Sequence, residues 1–85
     1  MPDNVETKTI EVIAAQLGVA AASLTRESQL DELGVNSLQL TEIVMELEDE
    51  FNINIDINAA EAWEKYQNVG AIIDAIKLLK QATGW

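Results

Sequence analysis

The chain has 85 residues, a formal net charge of −10, and neither histidine nor cysteine. At this length we expect one domain over residues 1–85, with little chain left for an internal catalytic cleft. The missing residue types exclude disulfides, thiolate metal sites, thiol catalysis and a Ser-His-Asp relay. No apolar run is long enough to cross a bilayer, and the acidic start MPDNVETK does not resemble an export leader, which favours the cytoplasm.

The negative charge is concentrated in the middle of the chain. Fifteen acids oppose five bases, and the stretch from Glu27 to Glu64 contains eleven acids and no lysine or arginine. Such a stripe repels nucleic acid and attracts basic protein surfaces, although acids also keep a small domain soluble. We therefore expect basic proteins, and no nucleic acid, as partners.

A capping box and a helical apolar period predict the first helix over residues 4 to 17. Asp3 and Glu6 have the spacing of the box, and Gly18 supplies the C-terminal stop. The period is formed by Val5, Thr9, Ile10, Ile13, Ala14 and Leu17. Residues 19–36 lack this period and predict a long loop with a short turn near Ala20 to Leu24. Its tethers to the core would be Leu24, Leu30, Leu33 and Val35.

The second helix, from Ser37 to about Phe51, has the clearest helical pattern in the chain. Asn36 and Gln39 form its capping box. One arc of this helix predicts the core face and carries Leu40, Ile43, Val44, Leu47 and Phe51. Leu38 and Met45 lie nearly opposite this face. On one side of this apolar pair lie Glu42, Glu46 and Asp49, and on the other lie Thr41 and Glu48.

The segment after this helix, NINIDIN, alternates isoleucine with polar residues as a half-buried strand does. No second strand candidate exists to pair with it, so we interpret it as an extended loop whose isoleucines enter the core. Its oxygens also allow a calcium-binding EF-hand loop. Neither possible frame, however, has glycine at the sixth position or glutamate at the twelfth.

Two asparagines mark the starts of the remaining helices. Asn58 with Glu61 predicts a short helix through Tyr66. Asn68 predicts a last helix that ends near Gly84 and whose apolar period is Val69, Ile72, Ile73, Ile76 and Leu79. The expected fold is all-α: a small four-helix bundle with three longer helices, one short third helix, and a long loop between helices one and two.

Ser37 is the residue at which chemistry remains possible. A lysine that activates it as a nucleophile is conceivable, but all five bases lie outside the acidic middle that contains Ser37, which disfavours such a pair. Serine is also ordinary in the first turn of a helix. Its hydroxyl would nevertheless stand outside the bundle at the positive end of the helix dipole, where an attached phosphodiester is stabilised. Leu38 and Met45 on the same helix would give this point an exposed apolar neighbourhood.

Three stretches in the correct order resemble the acyl carrier protein family. LGVNSLQLTEIVMELEDEF, residues 33–51, resembles the family signature of Leu-Gly, one residue, Asp-Ser-Leu, and an acidic helix that ends in Phe. VIAAQLGV resembles the end of the family's first helix, and VGAIIDAI, residues 69–76, resembles the start of its last. The resemblance extends over nearly the whole chain and agrees with its length and acidity.

The resemblance implies a carrier without catalytic activity, in which a phosphopantetheinyl transferase attaches 4′-phosphopantetheine to Ser37. The thiol of this arm would hold acyl groups as thioesters for fatty acid or specialised lipid biosynthesis. Basic patches on the transferase and on acyl-processing synthases and acyltransferases would recognise Leu38, Glu42, Met45, Glu46, Glu48 and Asp49. The acyl chain would be sheltered among Leu47, Phe51, Ile55 and Ile73. We expect a monomer that binds no metal and does not insert into membranes.

Two positions beside the serine depart from the family pattern. Asn36 replaces the usual aspartate, and Gln39 replaces a commonly acidic residue. Both keep the capping box but remove negative charge, so we infer weaker attraction to a generic transferase and a specialised carrier. The segment 51–69 is also longer than is typical, and it contains Trp63 and Tyr66.

Two other functions are compatible with the sequence. A carrier of polyketide, aminoacyl or peptidyl intermediates shares the same signature. A non-carrying acidic helical adaptor would use Leu38 and Met45 only to bind a basic partner, and its binding would not depend on Ser37.

Overall fold

A computed structural model describes residues 4–55 and 58–82, apart from the side chains of Asn4, Ala59, Gln81 and Ala82. Over these residues the chain forms four α-helices, α1 (Asn4–Leu17), α2 (Ser37–Phe51), α3 (Ala59–Lys65) and α4 (Val69–Ala82), and a 3-10 helix at Ala21–Ser23. The predicted all-α four-helix bundle is confirmed. The predicted cap at Asp3 and the predicted helix end near Gly84 lie outside the described residues. Within the described ranges, no helix combines the length and hydropathy needed to span a membrane.

The first helix ends as its glycine predicts. Gly18 has φ +71°, a left-handed conformation that glycine adopts without a steric penalty. This turn brings the Val19 N–H within 3.0 Å of the Ala14 carbonyl oxygen, which would otherwise lack a partner at the helix end. On the face turned to the core, Thr9 and Ile13 are fully buried.

The long loop between α1 and α2 is fixed by both its side chains and its backbone. Leu24, Leu30 and Val35 are buried and Leu33 is partly buried, so the four predicted tethers contact the core. The predicted short turn is the 3-10 helix. The loop therefore has one defined path over the bundle.

Backbone hydrogen bonds join this loop to the start of α4. The Val69 N–H donates to the Ser28 carbonyl at 3.1 Å, and the Gly70 N–H donates to the Arg26 carbonyl at 2.9 Å. A Cβ atom at position 70 would lie 3.1 Å from the Arg26 carbonyl oxygen, so the absence of a side chain permits this close approach. The loop and α4 thus meet backbone to backbone.

Arg26 adds side-chain contacts at the same junction. Its guanidinium lies 2.8 Å from the Asp74 carboxylate on α4 and 3.5 Å from the Glu6 carboxylate on α1. The hydrogen bond with Asp74 raises the pKa of Arg26, so this residue remains a cation. Exposed ion pairs contribute little to stability, which makes the backbone bonds and buried leucines the main anchors of the loop.

The core lies between α2 and the helices around it. All five residues of the predicted core face of α2 are buried: Leu40, Ile43, Val44, Leu47 and Phe51. They meet the buried face of α4, formed by Val69, Ile72, Ile73 and Ile76. α2 packs closely on α1 and α3, and α4 packs on α1. This arrangement leaves the opposite face of α2 outside the bundle.

The segment after α2 is an extended loop, as the sequence predicts, rather than a strand. Asn52 adopts a left-handed conformation with φ 54° and ends the helix. Ile55 is buried and Ile53 is partly buried. The Glu48 carboxylate accepts a hydrogen bond of 2.6 Å from the Ile55 N–H and so ties the loop back to the helix.

The EF-hand alternative falls on the same segment. Asp56 and Ile57 lie outside the described residues. Among the residues that the structure does describe, no group of three or more histidine, cysteine, aspartate or glutamate side chains is placed to hold a metal ion.

The bond between Glu48 and Ile55 gives a stability prediction. Glu48→Ala removes a charged acceptor from a partly buried N–H, so we expect the free energy of unfolding to fall by about 1–3 kcal/mol. Glu50→Ala is the matched control, because it removes an exposed carboxylate from the same helix and only a 3.7 Å ion pair with Lys8. We expect Glu50→Ala to change the free energy of unfolding by less than about 1 kcal/mol. Urea unfolding of both variants tests this, and equal losses would contradict the structural role of Glu48.

Candidate functional site

Ser37 is the first residue of α2, and Asn36 holds the backbone that leads into it. Asn36 has φ −103° and ψ 177°, and its side-chain oxygen accepts a 2.7 Å hydrogen bond from the Gln39 N–H. This is the forward half of the predicted capping box. The first intrahelical bond, from the Leu40 N–H to the Asn36 carbonyl oxygen, is 2.9 Å long. The cap therefore fixes where the helix begins and where the Ser37 side chain leaves it.

The sequence contains three serines, and their hydroxyl groups differ in the structure. Ser23 donates to the Ala20 carbonyl at 2.6 Å, and Ser28 accepts from the Thr25 N–H at 2.9 Å. Ser37 is exposed, and its hydroxyl has no hydrogen-bond partner among the described residues. Of the three, Ser37 is the serine whose oxygen is accessible and not committed to a local turn.

The surroundings of the Ser37 hydroxyl suit a phosphodiester. The geometry of a helix leaves the N–H groups of its first residues without intrahelical acceptors. At α2 the Gln39 N–H is taken by the cap, whereas those of Ser37 and Leu38 point toward the helix entrance. The adjacent side chains of Asn36, Leu38 and Gln39 are uncharged, so no carboxylate next to the serine in the chain opposes a phosphate there. The residues present therefore fit a phosphate ester on Ser37.

An exposed stripe of apolar and acidic residues runs along α2 from this point. Leu38 is 69% exposed and Met45 is 59% exposed, although both side chains are large and apolar. They are seven residues apart, which is two helical turns, and so lie on one face. The stripe consists of Leu38, Glu42, Met45, Glu46 and Asp49, all exposed. Among the described residues none of its three carboxylates forms an ion pair.

Glu48 lies apart from this stripe. Sequence reasoning placed it with the partner-binding residues, but its carboxylate accepts the Ile55 N–H and the side chain is only partly exposed. Glu50, on the same helix, approaches Lys8 of α1. Five of the six predicted partner-binding residues therefore share one open face, and the sixth is engaged at the end of the helix.

The four residues predicted to shelter an acyl chain are all buried in one cluster. Leu47 and Phe51 lie on α2, Ile73 on α4, and Ile55 on the loop that follows α2. In the described ranges, α2 and α4 are not among the helix pairs with closely packed backbones. Large side chains fill the distance between them, and the Lys80 ammonium of α4 lies 5.4 Å from the centre of the Phe51 ring. The predicted residues are thus brought together, and they are closed to solvent.

Sequence reasoning missed two surface features. Leu78 of α4 is 67% exposed. The sequence contained an indication of this exposure, because position 78 lies off the apolar period of that helix. A cleft of about 250 Å³ also opens between the long loop and the third helix, with Trp63 and Leu30 in its lining. Only Trp63 stood out in the sequence, as an unusual residue in an atypically long segment. The loop residues opposite it could not be paired with it before the fold was known.

Comparison with known proteins gives an independent assignment of the chain. A family model described as a phosphopantetheine attachment site matches residues 8–76. Nodulation protein F from Rhizobium leguminosarum bv. trifolii is 31% identical over 80 residues, which cover 81% of this chain and 87% of that protein. Nodulation protein F from Rhizobium leguminosarum bv. viciae is 30% identical over the same shares.

The match spans α2 and Ser37, together with most of the helices that position them. Proteins of this family carry a covalently attached 4′-phosphopantetheine, and they act as carriers rather than catalysts. Sequence, fold and comparison lead to the same assignment. The chain belongs to the acyl carrier protein family, whose members hold their cargo on a phosphopantetheine arm.

Proposed function

We propose that this carrier holds acyl intermediates as thioesters on 4′-phosphopantetheine attached to Ser37, for fatty acid or specialised lipid biosynthesis. The observation that carries the proposal is the Ser37 hydroxyl, exposed at the start of α2 and without a hydrogen-bond partner among the described residues. It lies within the residues that the family model matches. The single domain over residues 1–85, the monomeric state and the cytoplasmic location stay predictions.

The attachment itself makes this chain the substrate of a phosphopantetheinyl transferase. The Ser37 oxygen forms a bond to the pantetheine phosphorus of coenzyme A and loses its proton to a base of the transferase. The pyrophosphate bond breaks, and 3′,5′-ADP leaves. When bound, the arm supplies the thiol that the sequence lacks. The N-terminal N–H groups of α2 then stabilise the negative charge of the phosphodiester.

The stripe on α2 is the surface that we assign to partner enzymes. Leu38 and Met45 supply apolar area that a partner can bury, and Glu42, Glu46 and Asp49 attract basic residues to the same face. This arrangement steers an enzyme toward the helix that carries Ser37. Glu48 contributes negative charge to this side of the molecule but not a free carboxylate, because it already binds the loop.

The acyl chain is sheltered, in this proposal, among Leu47, Phe51, Ile55 and Ile73. These side chains span the distance between α2 and α4, so moving them aside opens space without separating two closely packed backbones. Each methylene group transferred from water into such a space gains about 0.8 kcal/mol. The energy required to displace four packed side chains opposes this gain, which favours chains of several carbons.

Two observations favour a specialised carrier over a housekeeping one. Asn36 and Gln39 are neutral at positions where the family is usually acidic, so the immediate surroundings of Ser37 attract a basic transferase less strongly. The two relatives are also named as nodulation proteins. We therefore expect modification to be most efficient with a transferase dedicated to this carrier.

Mass spectrometry after incubation with coenzyme A and a transferase tests the attachment. The wild-type protein should gain the mass of one phosphopantetheine, and Ser37→Ala should show no gain because the accepting oxygen is removed. Ser23→Ala and Ser28→Ala are matched controls and should still be modified, since these hydroxyls take part only in local turns. A wild-type protein that stays unmodified with several transferases, including one encoded near its gene, would refute the carrier function.

A charge reversal on the α2 stripe tests the partner surface. Glu46→Lys should raise the transferase KM by about three- to tenfold, because it repels a basic patch where the wild type attracts it. Glu11→Lys changes the net charge equally at an exposed position of α1 and should have a much smaller effect. The difference between the two variants should shrink at high salt. Equal effects of the two reversals would mean that the transferase senses only net charge.

A further inference from the structure

A second concave feature of this molecule is the cleft between the long loop and α3. It has a volume of about 250 Å³ and is lined by Gln29, Leu30, Asp31, Trp63, Glu64 and Gln67. It shares no residue with the α2 stripe. Three of its lining residues come from the loop that leads to Ser37, and the other three come from α3 and the turn that follows it.

We propose that this cleft binds an arginine side chain of a partner enzyme, between the Trp63 ring and the carboxylates of Asp31 and Glu64. The proposal rests on the carrier function proposed above, because the partner is an enzyme that acts on a group held at Ser37. A guanidinium ion stacks on an indole ring and donates hydrogen bonds to carboxylate and amide oxygens in its plane. The cleft offers a ring, two carboxylates and two amide side chains together.

The charge of the lining favours a cation. Asp31 and Glu64 are exposed, and neither forms an ion pair with a described residue. No lysine or arginine is among the residues that line the cleft. One Asp31 oxygen accepts the Glu32 N–H at 2.8 Å, which fixes that side chain and leaves its second oxygen for a ligand.

The size and form of the cleft favour one side chain over a metabolite. Pockets for small molecules enclose about 300–1,000 Å³ and are mostly apolar, whereas this cleft is smaller and four of its six lining residues are polar. Its apolar surface comes from Trp63, which is partly buried against the core, and from Leu30, which is buried. A planar cation with an aliphatic stem matches this combination better than a neutral or anionic ligand does.

The cleft also lies close to the attachment point. The Leu30 carbonyl oxygen is 3.0 Å from the Val35 nitrogen, because the loop folds back on itself there. Ser37 follows two residues later, and two residues span at most about 7 Å. The Leu30 edge of the cleft is therefore within about 10 Å of the Ser37 backbone, so an enzyme at the serine can reach it.

An NMR titration of the unmodified protein tests the proposal. We expect N-acetyl-arginine amide to shift the Trp63 indole N–H and the backbone amides of residues 29–31 and 64 in a saturable manner. N-acetyl-lysine amide should bind these groups about two- to fivefold more weakly, because its ammonium ion does not stack. The neutral N-acetyl-citrulline amide should leave them unchanged. The chain has two tryptophans, and Trp63→Leu assigns the indole signal.

Variants show whether the cleft or the general negative charge is responsible. Glu64→Gln should weaken arginine amide binding by about two- to fivefold. Glu61→Gln is the matched control on the same helix and should not, because Glu61 contacts Asn58 and glutamine preserves that hydrogen bond. Trp63→Leu should weaken binding like Glu64→Gln, with folding checked by thermal unfolding. Equal lysine and arginine affinities, equal effects of the two glutamine variants, or shifts confined to α2 would overturn the proposal.

The same titration with protein modified at Ser37 shows whether a partner's arginine or the pantetheine arm occupies the cleft. If modification at Ser37 shifts the Trp63 indole signal and abolishes arginine amide binding, the arm fills the cleft and the proposal is wrong. If the modified protein still binds arginine amide, the cleft is available to a partner. The titration uses unmodified protein, so arginine amide binding can be absent even though Ser37 is modified normally. Conversely, a missing mass gain in the transferase experiment refutes the carrier function without affecting the titration of the cleft.

Discussion

The placement of the α2 N-terminus depends on the hydrogen bonds between the long loop and the start of α4. Residues 26–30 and 67–70 meet backbone to backbone, and the missing side chain of Gly70 favours this close approach. The loop then turns back at Leu30 and Val35, and Asn36 caps the helix. Ser37 is the next residue. The long loop thus holds Ser37 at a defined point, because both of its ends are fixed by buried leucines and backbone bonds.

The two faces of α2 differ in chemical character. One face of α2 is fully apolar and buried, and the other exposes Leu38 and Met45 among carboxylates. Three of the five described cations pair or stack elsewhere: Arg26 with Glu6 and Asp74, Lys8 with Glu50, and Lys80 over Phe51. None of the three carboxylates on the exposed face of α2 forms an ion pair with a described residue. The charge of this face is available to partners, at the expense of repulsion within a small fold.

This difference suits a chain without thiols or imidazoles that belongs to a family of carriers. Members of the family obtain their reactive group from outside, so the residues need only present a hydroxyl and guide enzymes to it. The structure keeps that hydroxyl free of local hydrogen bonds, in contrast to the other two serines. The cleft beside α3 adds a different type of contact close by, which gives a partner a way to recognise this carrier that does not depend on the α2 stripe.

The sequence by itself determined the four helices and the buried face of α2, because these depend on contacts between residues three or four apart. Asn36, Asn58 and Asn68 cap α2, α3 and α4 as expected. The sequence also predicted an exposed Ser37 at the start of α2 and the exposed pair Leu38 and Met45. Only the tertiary structure decided that Glu48 binds the Ile55 N–H, that Arg26 joins α1 to α4, and that Asp31 lies across a cleft from Trp63. These contacts link residues brought together by the path of the loops, and no local spacing in the sequence encodes that path.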